Sequence, residues 1–567
     1  MHPLFLLATA VLVFALAYRF YAPFITAADF PLQALPETPA LRRRDAIEFS
    51  AAPLPALLAW YCAVLCGGTT IAGVALATAF GYTPITLWTV TLTALVAGTF
   101  GAGILWLSLR ASGEGVHYLA SLYLDPKSSF AFFFLGLLVL LGLLAILALL
   151  IGDLVFRHPQ ASWALLSFFP AAFAHGRRAG LPADWRRYLL LAAAVALPSA
   201  ALVLGIAAPL KLDGALILDL GDFMLLGISP SGIWATLALV LALWAVKLPP
   251  PRLSRPHGIF AAGTLAVLLP ALLAAFIVDA PAMTAPELHR PAGSAPALFM
   301  LNLIVGGGAL AGYHAFLLAG PVARQIRHPS QLTPLAFGGA LAAGLVAVMV
   351  VIVIASYSAQ AAGGAFAWTA SALQAPMPQW LDLFLLGAAA ALTRIGLPPE
   401  WAVMLWSVAL VALMLATLEA GLRALKLMVA DFQQAFSLPL LRRTPPAHAA
   451  AALVFVVLWF TAQRTLDTDT WISFGILNQW LALACLGLLA ATLRRVHRSA
   501  APVMYPLSAL LALLLWSEGY AIWIWAGAGR WTPLAVSLAG LLLGGWALFA
   551  AGRAAFLPQA AKPPPAA

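Results

Sequence analysis

From Phe5 to Phe549 the chain returns again and again to apolar runs of about 17–25 residues, the length that crosses the hydrocarbon core of a bilayer. A water-soluble core has no use for so many such runs in succession. Asp, Glu, Lys and Arg make up only 9% of the 567 residues, whereas soluble domains carry about 25%. Ala and Leu dominate the runs, which favours helices, and the short alternating strands of a membrane barrel are absent. The fold class read from this is an all-α polytopic membrane protein, with the lipid bilayer as its first partner.

Spans are predicted near 4–18, 52–79, 84–109, 130–152, 159–174, 188–209, 226–246, 258–278, 296–320, 334–358, 400–422, 447–463, 471–492, 503–526 and 531–551, about fifteen transmembrane helices. With the N-terminus outside and every span crossing, 24 of the 30 Lys and Arg fall in one set of loops. That asymmetry is the positive-inside pattern. It puts the N-terminus outside and the C-terminus in the cytoplasm. Trp380–Arg394 is apolar but short and carries Asp382, and crossing there would invert every later loop. It is read as a re-entrant or interfacial outer helix. Residues 1–556 form a single transmembrane domain, and the Pro/Ala-rich tail 557–567 is expected to be disordered. No cleavable signal and no soluble domain is expected.

The stretch Phe299–Arg324 departs most from a plain lipid-facing helix. Gly306, Gly307 and Gly308 stand in a row, Gly312 follows at Gly-x-x-x-Gly spacing, and Gly320-Pro321 interrupts the far end. Gly costs about 1 kcal/mol in a helix interior and Pro about 3. The pattern suits close helix contact or a broken helix lining a site. His314, beside Tyr313, either hydrogen-bonds a facing helix or serves a ligand or a proton relay. Asn478 and Gln479 need partners in their apolar run, from another helix or from a polar substrate. Glu419 and Arg423 stand one turn apart, as a local ion pair does. Glu518 is read as snorkelling to the interface. Gly67, Gly68, Thr69, Thr70 and Gly73 make the second span small and polar.

The net charge of +10 lies in short loops and sets topology rather than binding nucleic acid. There is no phosphate-binding loop, metal-ligand spacing or nucleophile elbow, so neither an enzyme nor a metal or other cofactor is expected. Cys62, Cys66 and Cys485 are read as small packing residues.

Several stretches together resemble the carbon starvation protein A (CstA) family. They are AYRFYAPFI (Ala17–Ile25), Thr38-Pro39 and Asp45, Gly81-Tyr82 with Pro84 and Trp88, SLRASGEG (Ser108–Gly115), GALAGYHAFLLAG (Gly308–Gly320), LEAGLRALKLMVADF (Leu418–Phe432) and WISFGILNQWLA (Trp471–Ala482). The resemblance implies a bacterial inner-membrane secondary transporter with inverted repeats and discontinuous helices. It would carry small organic solutes, peptides or carboxylates such as pyruvate, by alternating access, with coupling to H+ or Na+. Tyr313, His314, Gly308, Gly312, Asn478 and Gln479 would then line the substrate site. Arg324 would draw an anionic group to the inner mouth.

The departures are specific. Ala59-Trp60-Tyr61 stands where the family has Gly-His-His, and Thr70 and Val74 replace prolines. Phe100-Gly101-Ala102 replaces Gln-Asp-Phe, and two intramembrane glutamates become Ala343 and Leu410. The hydroxyl-rich run becomes Leu318–Arg324. These losses motivate an alternative: a non-transporting sensor or an assembly subunit with a protein partner.

Overall fold

The computed structural model describes residues 2–31, 37–45, 47–178, 181–182, 184–214, 216–219, 225–289, 311–361, 377–435, 445–461 and 468–556. Most of the predicted spans inside these limits are helical along their length. The one sheet among the described residues is an antiparallel pair, Leu216–Asp219 with Leu225–Ile228, in which Leu216 faces Ile228.

The span count differs from the sequence reading. Ten helices among the described residues are long and apolar enough to cross a bilayer, or eleven with the bent pair Leu54–Leu65 and Gly68–Phe80. The expectation of about fifteen also took in Ser162–Arg178, Pro230–Val246 and Pro446–Thr461, which have 17, 17 and 16 residues. At 1.5 Å per residue their described lengths reach roughly 25 Å, the lower limit for a span, so the count of about fifteen is not established. The remaining predicted span, 296–320, lies largely outside the described residues, as do Gly306–Gly308 and the tail 557–567.

The helices form an inner and an outer set. Asp469–Arg495 is buried throughout its apolar window, and Tyr82–Arg110, Pro329–Tyr357 and Pro399–Gln433 nearly so, whereas Trp185–Ala207 is buried over only 17% of its window. Lipid tails give apolar helices no reason to associate, so close packing must do it. Small residues allow that approach: Gly136 lies under the Phe316 ring, and Gly544, on the outer helix Trp531–Phe556, under Trp480. The outer helices turn Val195, Val203, Trp523 and Leu542 outward.

Loop contacts sort into two faces that coincide with the two sets of loops. On one face Arg43 meets Glu114 at 3.2 Å, Arg423 meets Glu48 at 3.3 Å and Arg553 meets Asp125 at 3.0 Å. On the other Arg157 meets Asp382 at 3.0 Å, Arg394 meets Asp279 at 3.7 Å and Arg530 meets Asp469. The segment Trp380–Arg394 belongs to a helix, Met377–Thr393, whose Trp380, Leu385 and Ala388 are fully buried against neighbouring helices. Glu518 does not snorkel. It is 1% exposed, and its two carboxylate oxygens accept from Trp480 Nε1 and Ser537 Oγ, each at 2.8 Å. Two good donors inside the bundle replace the water that snorkelling would have sought.

Candidate functional site

The second span breaks at Cys66-Gly67. Cys66 leaves helical geometry at ψ 16°, Gly67 is extended at ψ 178°, and the two halves bend by 42°. A broken helix exposes carbonyls that lose their partners four residues on. Here two of them are met by threonines. Thr70 Oγ1 donates to Leu65 O at 2.7 Å, and Thr417 Oγ1, from the helix Pro399–Ala435, donates to Val64 O at 3.0 Å. A Cβ at Gly67 would overlap Thr417 Oγ1, and one at Gly68 would strike Met414. The small polar residues noted in the sequence therefore serve a break, not only close packing.

Across this break lies the described part of Phe299–Arg324. Thr69 Oγ1 and Tyr313 Oη share a hydrogen bond of 3.1 Å. The Tyr313 backbone N–H donates to Asn478 Oδ1 at 2.9 Å. Gly312 rests directly on the Asn478 carbonyl, where any side chain would collide with backbone. His314 stacks edge-on to Tyr313, 4.5 Å between ring centres, and its Nε2 is buried without a hydrogen-bond partner among the described residues. Gln479 is buried one residue after Asn478. So the structure gathers Gly312, Tyr313, His314 and Asn478 into one joint, and adds Thr69 and Thr417. Gly308 lies outside the described residues.

Arg324 is elsewhere. The chain kinks at Ala319-Gly320, where Gly320 takes φ +107°, a value natural only to glycine. Arg324 follows, its Nε donating to Gly113 O at 2.9 Å, its guanidinium 3.8 Å from Glu114 and over the Phe49 ring. His117, on the short helix Val116–Tyr123, approaches Asp431 at 3.7 Å beside it. Burial and the Arg324 charge push the His117 imidazole down to about 4, so it is neutral near pH 7.

Glu419 and Arg423 form a third group. Arg423 donates to Glu419 at 2.9 Å, to Leu248 O at 2.9 Å and to Ser254 Oγ at 3.1 Å, and faces Glu48. Burial opposes charge on Glu48, but Arg423 and Lys426 outweigh it and hold the carboxyl below its ordinary range. These hydrogen bonds offset the cost of burying the pair, although Glu419 Oε2 is buried without a hydrogen-bond partner among the described residues.

His117, Asp431, Glu114, Glu48 and Thr417 escaped the sequence reading. Their signal was faint: Glu114 and Asp431 sit inside two of the stretches that resemble a family, and His117 stands two residues beyond one. Nothing in the spacing joins them.

The chain is similar in sequence to known proteins. The profile of the family described as "Carbon starvation protein CstA" matches residues 2–377. The peptide transporter CstA of Escherichia coli (strain K12) is 23% identical over 561 residues, covering 87% of this chain and 77% of that one. The pyruvate/proton symporter BtsT of the same organism is 23% identical over 370 residues, covering 62% of this chain but 49% of that one. Among solved structures, MhsT in complex with L-phenylalanine superposes with TM-score 0.51 at 12% identity, over 89% of this chain and 99% of that chain. At that identity the likeness is one of fold.

Proposed function

The chain belongs to the carbon starvation protein CstA family, and on that premise we propose that it is a secondary active transporter of small organic solutes, peptides or carboxylates such as pyruvate. It works by alternating access in the bacterial cytoplasmic membrane, with the face bearing Arg43, Arg423 and Arg553 in the cytoplasm. A broken span whose Thr69 bonds Tyr313 on the segment that kinks further on supports this reading, because transporters built on inverted repeats place their substrate where helices are discontinuous. The single observation that carries it is His314 Nε2, a buried polar nitrogen with no partner among the described residues, beside the Thr69–Tyr313–Asn478 joint. Such a group is costly unless something binds it. The start of the helix Gly68–Ala77, with its partial positive charge, faces the same joint and suits a substrate carboxylate. His314, Tyr313, Gly312, Asn478 and Gln479, with Thr69 added, are assigned to the substrate; Gly308, outside the described residues, stays in the assignment on its place in the sequence. Glu419 and Arg423 hold the inner ends of the helices together. Arg324 is already engaged by Gly113 and Glu114, which argues against free capture of an anion.

A sensor stripped of its transport site should have an apolar centre. The hydroxyls, imidazole and amides gathered here favour transport instead. The test is uptake of radiolabelled pyruvate and dipeptides by proteoliposomes. Uptake should be saturable, lost in His314→Ala and kept in the exposed-loop control Lys211→Ala. Folded protein that carries neither class would overturn the proposal.

A further inference from the structure

The kink at Ala319-Gly320 encloses a cavity of about 10 Å³, bounded by His117, Gly115, Phe316, Gly320, Arg324 and Asp431. That is room for about one water. The His117 Nε2 to Asp431 Oδ2 separation of 3.7 Å is too long for a direct hydrogen bond and suits a bridging water. Asp431 Oδ2 and His117 Nδ1 are both buried without a hydrogen-bond partner among the described residues. His117 itself is only 7% exposed.

The charges around this cavity can be counted. Arg324 comes from the segment after the kink, Glu114 from the turn before the His117 helix, and Arg43 from the loop that binds Glu114 at 3.2 Å. The helix Ser128–Arg157 presents only the Phe133 ring to His117. Lys426 and Arg423, on the helix of Asp431, are turned onto Glu48. With Asp431 ionised, Arg324 and Arg43 face Asp431 and Glu114, and Glu48 also acts on Arg324. A proton on Asp431 removes one of these negative charges next to Gly320, whose backbone lets the helix kink.

We propose that Asp431 and His117, bridged by a water in this cavity, form the proton-binding site that couples transport to a proton gradient. With the site open outward the Asp431 carboxylate takes one proton that has entered from the outer face, becoming a neutral carboxyl; with the site open inward it gives that proton to water on the inner face and regains the charge that faces Arg324. Na+ fits worse. The guanidiniums of Arg324 and Arg43 repel it. Use of the proton rests on the transport reading; binding of the proton does not.

Two readouts keep these apart. Infrared difference spectra of the purified protein, taken on acidification, should show a neutral-carboxyl C=O band that is missing in Asp431→Asn and displaced in His117→Gln. The same band in Asp431→Asn would overturn the site whether or not the protein transports. In proteoliposomes, Asp431→Asn should lose pyruvate or dipeptide accumulation driven by an imposed pH gradient while still exchanging labelled for unlabelled solute. Gradient-driven accumulation that survives in Asp431→Asn would refute the coupling role. Wild-type protein that carries neither solute would sink the transport reading, and the infrared result alone would then decide the proton site. Size-exclusion profiles matching wild type confirm that the variants are folded.

Discussion

The chain interrupts a helix at Cys66-Gly67 and again at Ala319-Gly320, and it finishes the two interruptions differently. At the first, threonine hydroxyls take up the exposed carbonyls and Thr417 and Met414 leave no space for a Cβ. At the second, Gly320 sits at positive φ with only Leu427 in ordinary contact at its Cβ position, beside a water-sized cavity and a pair of titratable groups. The first is built to stay in one geometry. The second has slack, and a charge whose balance depends on pH. One helix, Pro399–Ala435, touches both: Thr417 at the first, Asp431 at the second, and Arg423 between them. The contrast assigns substrate holding to the first region and switching to the second.

The largest way to break that contrast is to cut the link. Arg423→Leu strands Glu419 and Glu48 without their shared cation, and it should cost about 3–5 kcal/mol in detergent thermal unfolding. A loss near zero would mean that the inner ends are not tied through Arg423.

Acid should act next, and through the second region. His117 sits at about 4 in the folded protein against an ordinary 6.5, so the unfolded chain binds its proton first. Stability is complete above pH 6.5 and falls as pH drops toward 4, by up to about 3 kcal/mol. His117→Gln should flatten that part of the profile, as read from melting temperature against pH. An unchanged slope would show that His117 does not titrate as a buried neutral imidazole.

How much of this was legible beforehand follows from range along the chain. Helices announce themselves locally, so the inner spans and the helical class were readable from apolar runs alone. The count was less so, because Ser162–Arg178 and Pro230–Val246 are apolar yet short, and length against a bilayer is judged only once their ends are known. The second span read as continuous, although Cys66-Gly67-Gly68 marked its break. Gly320-Pro321 was noticed as an interruption, but its partners were not: His117 and Asp431 are brought together only by the fold, and Asp431 lies past the predicted end of its span at 422. Glu518 was misjudged because Trp480 and Ser537 could not be placed beside it from sequence.

Smaller effects sharpen the first region. Thr417→Val leaves the Val64 carbonyl buried without its side-chain donor, and should cost about 1–3 kcal/mol in the same unfolding assay. Gly67→Ala, overpacked against Thr417, should cost a similar about 1–3 kcal/mol. If both are neutral, the break is not held by this contact. Tyr313→Phe removes one hydroxyl from the Thr69 pair and should cost only about 0.5–1.5 kcal/mol. Its uptake KM should rise more than its melting temperature falls; equal wild-type KM would remove Tyr313 from the substrate site.

Hydrogen–deuterium exchange of the intact protein in detergent, compared at neutral and mildly acidic pH after correction for intrinsic rates, addresses the contrast most directly. The account predicts that amides of 316–326 lose protection as Asp431 takes its proton, that Asp431→Asn abolishes the pH response, and that amides of 64–71 do not change. A pH response confined to 64–71, or shared equally by both segments, would contradict it.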